Sequence, residues 1–447
     1  MKIQSLVAGL IGLIVCVLAP SLGLAQISSN AKGAVPTEYS SGNQDSIYVF
    51  CGQKGEINAS LTATSPNAEL ATFEWQKYNA LTRTFDFFSS DVSGSTTSTI
   101  STLQDGAYRV NITPTGGTVT TYTAWVFNNY ITTTAAITNS DCNSFTLVGT
   151  SDTPILTYVD LPTGTSRTVN KGILVNWTAD NESVNTFLTT QIFDPPTKDT
   201  DYTLTVSDRF GCLSRSVVSY ISIVTKASFT YAPEVQAGVP SGKIEAPLSV
   251  VFTSTSDNAD QDKFQWFIYK DREQIIRESQ ANPSAVIDSF LIHTFTSNSI
   301  YKYVFENTGS YNVKLVSQKV SEFNTCYDTV WLPKLSPIVI DTSFIEAPNF
   351  FTPNGDEANP EFVVRFFSMK SVKISIFNRW GKMVHVYENN NVQGFGATEA
   401  SDPKSVWDGK VGGKVATPGV YYYVVEGKGR DDKRRKTNGF VHLFRDK

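Results

Sequence analysis

Residues 372–387 read VKISIFNRWGKMVHVY, and their pattern decides what kind of chain this is. Val372, Ile374 and Ile376 alternate with Lys373 and Ser375, the period-two signature of a strand with one apolar face. Asn378-Arg379-Trp380-Gly381 then breaks the alternation, with Gly381 free to take the positive φ that a tight reversal needs. Met383 to Tyr387 resumes the strand pattern, so the stretch predicts a β-hairpin.

Working outward, runs of four to eight residues of this type recur along the whole chain, separated by clusters of Gly, Pro, Asn, Asp and Ser. Thr, Ser, Asn, Val and Tyr dominate, with only 3 His and 3 Met in 447 residues. β-Branched and aromatic residues suit a pleated surface, so the composition predicts an all-β chain. Sustained helical periodicity is confined to Asp271–Ser279, DREQIIRES, which reads either as a short surface helix or as a charged loop.

A repeat emerges on the tryptophans and tyrosines. Trp75 in TFEWQKY precedes Tyr108 in DGAYRVNI, Trp177 in LVNWTA precedes Tyr202 in DYTLTVSDRFGC, and Trp266 in KFQWFIY precedes Tyr311 in TGSYNVKLVSQ. Each unit pairs a strand bearing a central Trp with a later strand entered through a polar turn and a Tyr. In an immunoglobulin-like sandwich the Trp fills the space between two sheets and the Tyr hydroxyl ties to the corner backbone. Three sandwiches in a row follow, at residues 46–139, 140–226 and 227–341, joined closely enough to suggest a rod of modules.

The N-terminus places Lys2 before the apolar run Leu6 to Leu18 and then Gly23-Leu24-Ala25, the layout of a cleaved secretory signal over residues 1–25. The run has 13 residues, short of the ~20 a spanning helix needs, and no later segment is long and apolar enough to cross a bilayer. Export permits disulfides among Cys51, Cys142, Cys212 and Cys326. Cys142 and Cys212 bracket one module and are the expected pair, with Cys51 and Cys326 left open.

A net charge of −5 carries no nucleic-acid footprint. Catalysis needs a constellation of groups with matched pKa, and none is marked: His293, His385 and His442 each sit in an alternating strand without a partner at metal-ligand spacing. No cofactor is implied. Asn354 to Asn359 offers closely spaced oxygens but lacks the spacing of a calcium loop, so a turn held by Asn and Asp side chains is the stronger reading. Lys428, Arg430, Lys433, Arg434, Arg435 and Lys436 form a basic cluster between two strand patterns, read as a solvated hairpin tip, with a docking surface for an acidic partner or anionic glycan as the alternative.

Two family resemblances are carried by specific residues. APLSVVFTSTSDNADQDKFQWFIYKD at 246–271, with Gly309-Ser310-Tyr311 and Cys326-Tyr327-Asp328-Thr329, resembles a PKD module, except that Trp266-Phe267-Ile268-Tyr269 stands where that family has an acidic turn. From Ala347 onward the chain resembles the gliding-motility-associated C-terminal domain, the type B sorting domain of type IX secretion cargo. The resemblance rests on blocks in the expected order: Pro353, Asn354, Gly355 and Asp356; then Phe377, Asn378, Arg379, Trp380 and Gly381; then Trp407, Asp408 and Gly409; then Pro418, Gly419 and Tyr421; then Gly439. Trp380 and Trp407 are both read as plugs at the ends of a small sandwich.

The resemblances imply tandem immunoglobulin-like or PKD-like β-sandwich modules ending in a small β-sandwich sorting domain at 347–447. They imply passage through the periplasm of a Gram-negative cell to the type IX translocon, and display on or release from the cell surface. A non-enzymatic adhesive or spacer stalk with a glycan or surface-protein ligand is the leading expectation. A structural or accessory component of the secretion or gliding machinery is the alternative.

Overall fold

Trp75, Trp177 and Trp266 are each no more than 1 % exposed, and each stands at the centre of a strand in its own sandwich core, as the repeat predicts. The computed structural model describes residues 27–236, 243–270, 280, 291–333, 337–392 and 405–445. The expected signal segment 1–25 and the charged stretch 271–279 lie outside the described residues. The fold is all-β, and it divides into two compact units, one built mainly from residues up to Tyr220 and the other mainly from Ile221 onward.

In the first unit, a six-stranded sheet runs in the order Gly33–Pro36, Ser46–Cys51, Thr120–Asn129, Gly106–Pro114, Ala71–Asn79, Thr84–Ser95. One face packs on a three-stranded sheet through Phe73, Trp75, Leu61 and Val110. Ile47, Tyr48, Val49 and Phe50 are all buried, so this strand is covered on both faces, which explains why SIYVFC reads as an unbroken apolar run. The opposite face, through Ile47, Val49, Trp125 and Phe127, continues into one core with Phe145, Leu147, Trp177, Leu204 and Val206. The first two sandwiches therefore share a hydrophobic core. Strand Thr132–Thr138, N-terminal to the division drawn at 139/140, pairs with Ser144–Asp152 in the second sandwich, because the turn at 139–143 closes a hairpin.

In the second unit, Phe229–Pro233, Leu248–Ser254 and Ile300–Phe305 form one sheet. It packs on Leu291–Ser297, Phe264–Lys270, Gly309–Val320 and Thr325–Trp331 through Phe252, Trp266, Phe305 and Leu315. Phe267, outside that core on the same strand as Trp266, receives the Lys314 ammonium 3.9 Å above its ring. The terminal domain has a five-stranded sheet in the order Phe350–Phe351, Arg434–Leu443, Gly419–Gly429, Met369–Phe377, Met383–Asn389. Its core gathers Phe351, Phe362, Ile374, Ile376, Trp407, Val425 and Val441.

The tyrosine expectation holds for Tyr108 and Tyr311, whereas for Tyr202 the structure gives a ring contact in place of the corner bond. Tyr108 donates its hydroxyl to the Gln104 carbonyl (2.9 Å) and Tyr311 to that of Asn307 (2.8 Å), each four residues upstream. Tyr421 makes the same bond to Thr417 (2.8 Å) in the terminal domain. A glycine precedes each tyrosine by two residues, at φ 145°, 141° and 145° for Gly106, Gly309 and Gly419, a region that a Cβ disfavours. Tyr202 has Thr200 in that place, and its ring packs on Phe145 at 5.5 Å.

The disulfides correct the expected pairing of Cys142 with Cys212. Cys51 bonds to Cys212, with Cα atoms 5.2 Å apart, and Cys142 to Cys326, with Cα atoms 5.4 Å apart. Cys212 is buried in a turn whose Asp208 carboxylate accepts its amide at 3.0 Å. The last residue of the strand Ser46–Cys51 lies against it. Bracketing a module in sequence does not bring two thiols together; the fold does.

Candidate functional site

The blocks that marked the terminal domain converge at one end of its five-stranded sheet. Gly419 and Phe351 both pair with Leu443, and Phe377 pairs with Tyr422 and Met383. The turns that begin at Pro353, Asn378, Asp408 and Thr417 are thereby drawn side by side.

The hairpin quoted at the outset forms as expected. Asn378 Oδ1 accepts from the amides of Trp380 and Lys382, both at 3.0 Å, and the Gly381 amide donates to the Asn378 carbonyl at 3.0 Å with Gly381 at φ 73°. This geometry puts Trp380 at the turn apex, where the sheet supplies no neighbouring layer. Trp380 is 84 % exposed, which corrects the expectation that it plugs the sandwich. Trp407 alone does so: it is 1 % exposed, donates Nε1–H to the Lys410 carbonyl at 2.7 Å, and meets Tyr421 edge-on at 4.8 Å.

At the first block, Asn354 Nδ2 donates to Asp356 (2.8 Å) and the Ala358 amide donates to the same carboxylate (2.9 Å). Those bonds, the Asn354 one foremost, hold the exposed Asp356 carboxyl below the usual carboxylate range. At the third, the Lys410 amide donates to Asp408 at 2.9 Å.

One residue absent from the sequence reading organises the cluster. Arg445, just past the final strand, donates to the carbonyls of Pro353 (3.0 Å), Gly409 (2.9 Å) and Ala416 (3.2 Å). Three turns distant in sequence are thus held by one planar guanidinium, whose fixed fork of donors suits the task. Its sequence signal was an arginine closing FVHLFR, which does not say which carbonyls it reaches.

Between the second and fourth blocks lies an open groove of about 560 Å³, lined among others by Arg379, Trp380, Lys382, Val411 and Pro418. It combines an exposed indole, two cations and apolar surface. Gly439 plays a different part. It sits mid-strand opposite Tyr423, and a Cβ there would fall 2.6 Å from the Tyr423 Cζ. The glycine makes room for that ring.

The basic cluster occupies the opposite end of the sheet. Strand Gly419–Gly429 has 11 residues, about 35 Å from end to end. At this far end Arg435 binds Asp431 through two bonds of 2.7 and 2.6 Å, Lys428 meets Asp432 at 2.6 Å, and Lys436 meets Glu426 at 2.7 Å. Much of the positive charge is therefore answered within the hairpin. His293, whose ring nitrogen meets the Tyr301 hydroxyl at 2.7 Å, His385 and His442 lie on separate strands. Among the described residues no group of three or more His, Cys, Asp or Glu is placed to hold a metal ion.

Residues 345–443 match the CHU_C Type IX secretion signal domain. That domain directs type IX secretion, so the terminal domain of this chain is an export signal. No curated protein matches the chain. Among solved structures it is similar to a tetra-tandem repeat in the extending region of a large adhesion protein, at 13 % identity over 87 % of this chain and 95 % of that one, with a TM-score of 0.27. It is also similar to a Ca2+-stabilized adhesin that helps an Antarctic bacterium bind ice, at 13 % identity over 93 % and 100 % with a TM-score of 0.20. A third similarity is to immunoglobulin domains 1–4 of Sidekick-1, at 9 % identity over 92 % and 99 % with a TM-score of 0.19.

Proposed function

We propose that this chain is a non-enzymatic surface or secreted protein carried by the type IX translocon, and that the motif end of its terminal domain is the surface the translocon reads. The observation that carries this reading is that the four turn blocks share one end of the sheet, where the second and fourth frame a groove whose most prominent side chain, Trp380, is 84 % exposed. A large ring held in water has no packing role, and Trp and Arg are among the residue types most enriched in binding hot spots. The sandwiches over residues 46–139, 140–226 and 227–341 serve as an adhesive or spacer stalk with a glycan or surface-protein ligand, after export through the signal at 1–25.

The test is export of the full chain in a cell with a type IX system. A chain ending before Pro348 is expected to stay in the periplasm, and one carrying Arg379→Ala and Trp380→Ala to reach the surface at reduced level while remaining folded. Surface appearance of the truncated chain at the normal level defeats the export reading. Normal export of the double variant defeats the groove as the docking surface. Stoichiometric co-purification with translocon subunits at steady state would replace the cargo reading with that of a machinery component.

A further inference from the structure

The end of the terminal sheet opposite the motif turns meets the sandwich before it through buried polar groups. Arg430, 7 % exposed, donates Nη1–H to both the carbonyl (3.0 Å) and the carboxylate (2.8 Å) of Glu306, and Nη2–H to the Val392 carbonyl (3.1 Å). Glu306 belongs to the preceding sandwich, following the strand Ile300–Phe305. From that sandwich also comes Glu245, 1 % exposed, whose carboxylate accepts the Ser368 amide at 2.9 Å. Ser368 Oγ in turn accepts the Ala246 amide at 3.0 Å. Ser368 is held at φ 44°, a conformation a serine keeps only when its surroundings dictate it.

The chain crosses between the two domains inside this arrangement. Ile338–Ile340 pairs with Gly309–Tyr311 in the preceding sandwich, and Phe344–Glu346 pairs with Arg365–Phe367 in the terminal domain. Only residues 341–343 lie between those two ladders. Asp341 is held by the Ile244 amide at 2.7 Å, and Ser343, 4 % exposed, donates to the Ser368 carbonyl at 2.6 Å and accepts the Arg430 amide at 3.1 Å. Gly429 is packed so closely that a Cβ would come within 2.6 Å of Ser343 Oγ. Joined domains ordinarily move relative to one another about an exposed linker; here the linker is three residues long, with Asp341 half-buried, Thr342 exposed and Ser343 buried and bonded to both sides.

We infer that the export domain is latched to the preceding sandwich by Arg430–Glu306 and Ser368–Glu245, so that the two form one mechanical and proteolytic unit in which hydrogen bonds on both sides hold the short crossing at 341–343. The preceding sandwich is thus a pedestal that fixes the export domain with its motif end pointing away, and separating stalk from export domain requires the latch to open. The Arg430 end of the pair is buried while the Glu306 carboxylate is largely exposed, so loss of that carboxylate weakens the latch and leaves the Arg430 bonds to the Glu306 and Val392 carbonyls in place.

The experiment uses the full chain. Peptide-resolved hydrogen exchange on the native protein is expected to protect the Ser368 and Arg430 amides as well as those of the adjoining sheets, and limited digestion to leave residues 341–343 uncut. Glu306→Ala removes an exposed carboxylate from outside both cores and is expected to speed cleavage at the crossing roughly tenfold to a hundredfold without changing exchange in either sheet. Arg430→Ala should act the same way; if it unfolds the domain, Glu306→Ala decides alone. Rapid exchange at Ser368 and Arg430 in the native chain, or equal cleavage of native and Glu306→Ala chains, overturns the latch. Neither readout involves export, so failure here is distinct from failure of the translocon reading.

Discussion

Arg445 and Gly409 meet at 2.9 Å, guanidinium to carbonyl, and the same guanidinium also holds Pro353 and Ala416. The motif end of the export domain is therefore a set of turns tied together by one side chain. Arg445→Ala leaves three carbonyls without that donor, and hydrogen bonds from a charged group are the stronger kind. The expected loss is about 2–4 kcal/mol in unfolding of the terminal domain, followed by denaturant titration of the full chain. Arg445→Lys, a point charge without the fork, should recover only part of it.

The two tryptophans at this end should separate cleanly. Trp407→Ala empties a core position and is expected to cost about 3–5 kcal/mol. Trp380→Ala, at an exposed apex, should stay within about 0.5 kcal/mol of the parent while lowering surface display. Thermal unfolding and surface labelling on the same variants give both numbers, and a large stability loss at Trp380 would contradict its placement.

Gly439→Ala should destabilise the terminal domain by about 1–3 kcal/mol, since the new methyl overlaps the Tyr423 ring. Combining it with Tyr423→Leu should recover part of that loss. Independent, additive losses in the double-mutant cycle would mean that the two residues do not share the space.

The tyrosine corners predict an alkaline limb in stability. Burial pushes the hydroxyls of Tyr108 and Tyr311 up to about 12, against an unfolded value of about 10. A folded pKa raised in this way contributes stability that is complete below about pH 10 and is lost as pH rises through about 12. Tyr108→Phe with Tyr311→Phe should begin less stable, by about 1 kcal/mol per lost hydroxyl bond, but fall more shallowly across that window in pH-dependent unfolding curves.

Peptide mapping without reduction should recover Cys51 linked to Cys212 and Cys142 linked to Cys326. Each closes a loop of well over a hundred residues, so replacing both members of a pair with alanine should lower stability by about 3–5 kcal/mol on the chain-entropy account. Recovery of a Cys142–Cys212 peptide would overturn the described connectivity.

By itself the sequence determined the elements: alternation marked the strands, the central tryptophans marked three cores, and a polar turn before a Tyr marked the corners that form at Tyr108 and Tyr311 through bonds only four residues long. It also marked the terminal domain, because its blocks are local turns whose chemistry is written in consecutive residues. Tertiary structure alone decided the rest. Period-two patterning says which side chains share a face but not what covers that face, so the shared core of the first two sandwiches stayed hidden. It also says nothing of a ring at a hairpin apex, which is why Trp380 and Trp407 read alike and ended in opposite environments. The disulfide partners, the reach of Arg445 to three turns and the latch at Arg430 all depend on groups far apart in the chain. Such contacts are set by how the sheets stack and where their ends fall, and that arrangement exists only once the hydrophobic faces have found one another.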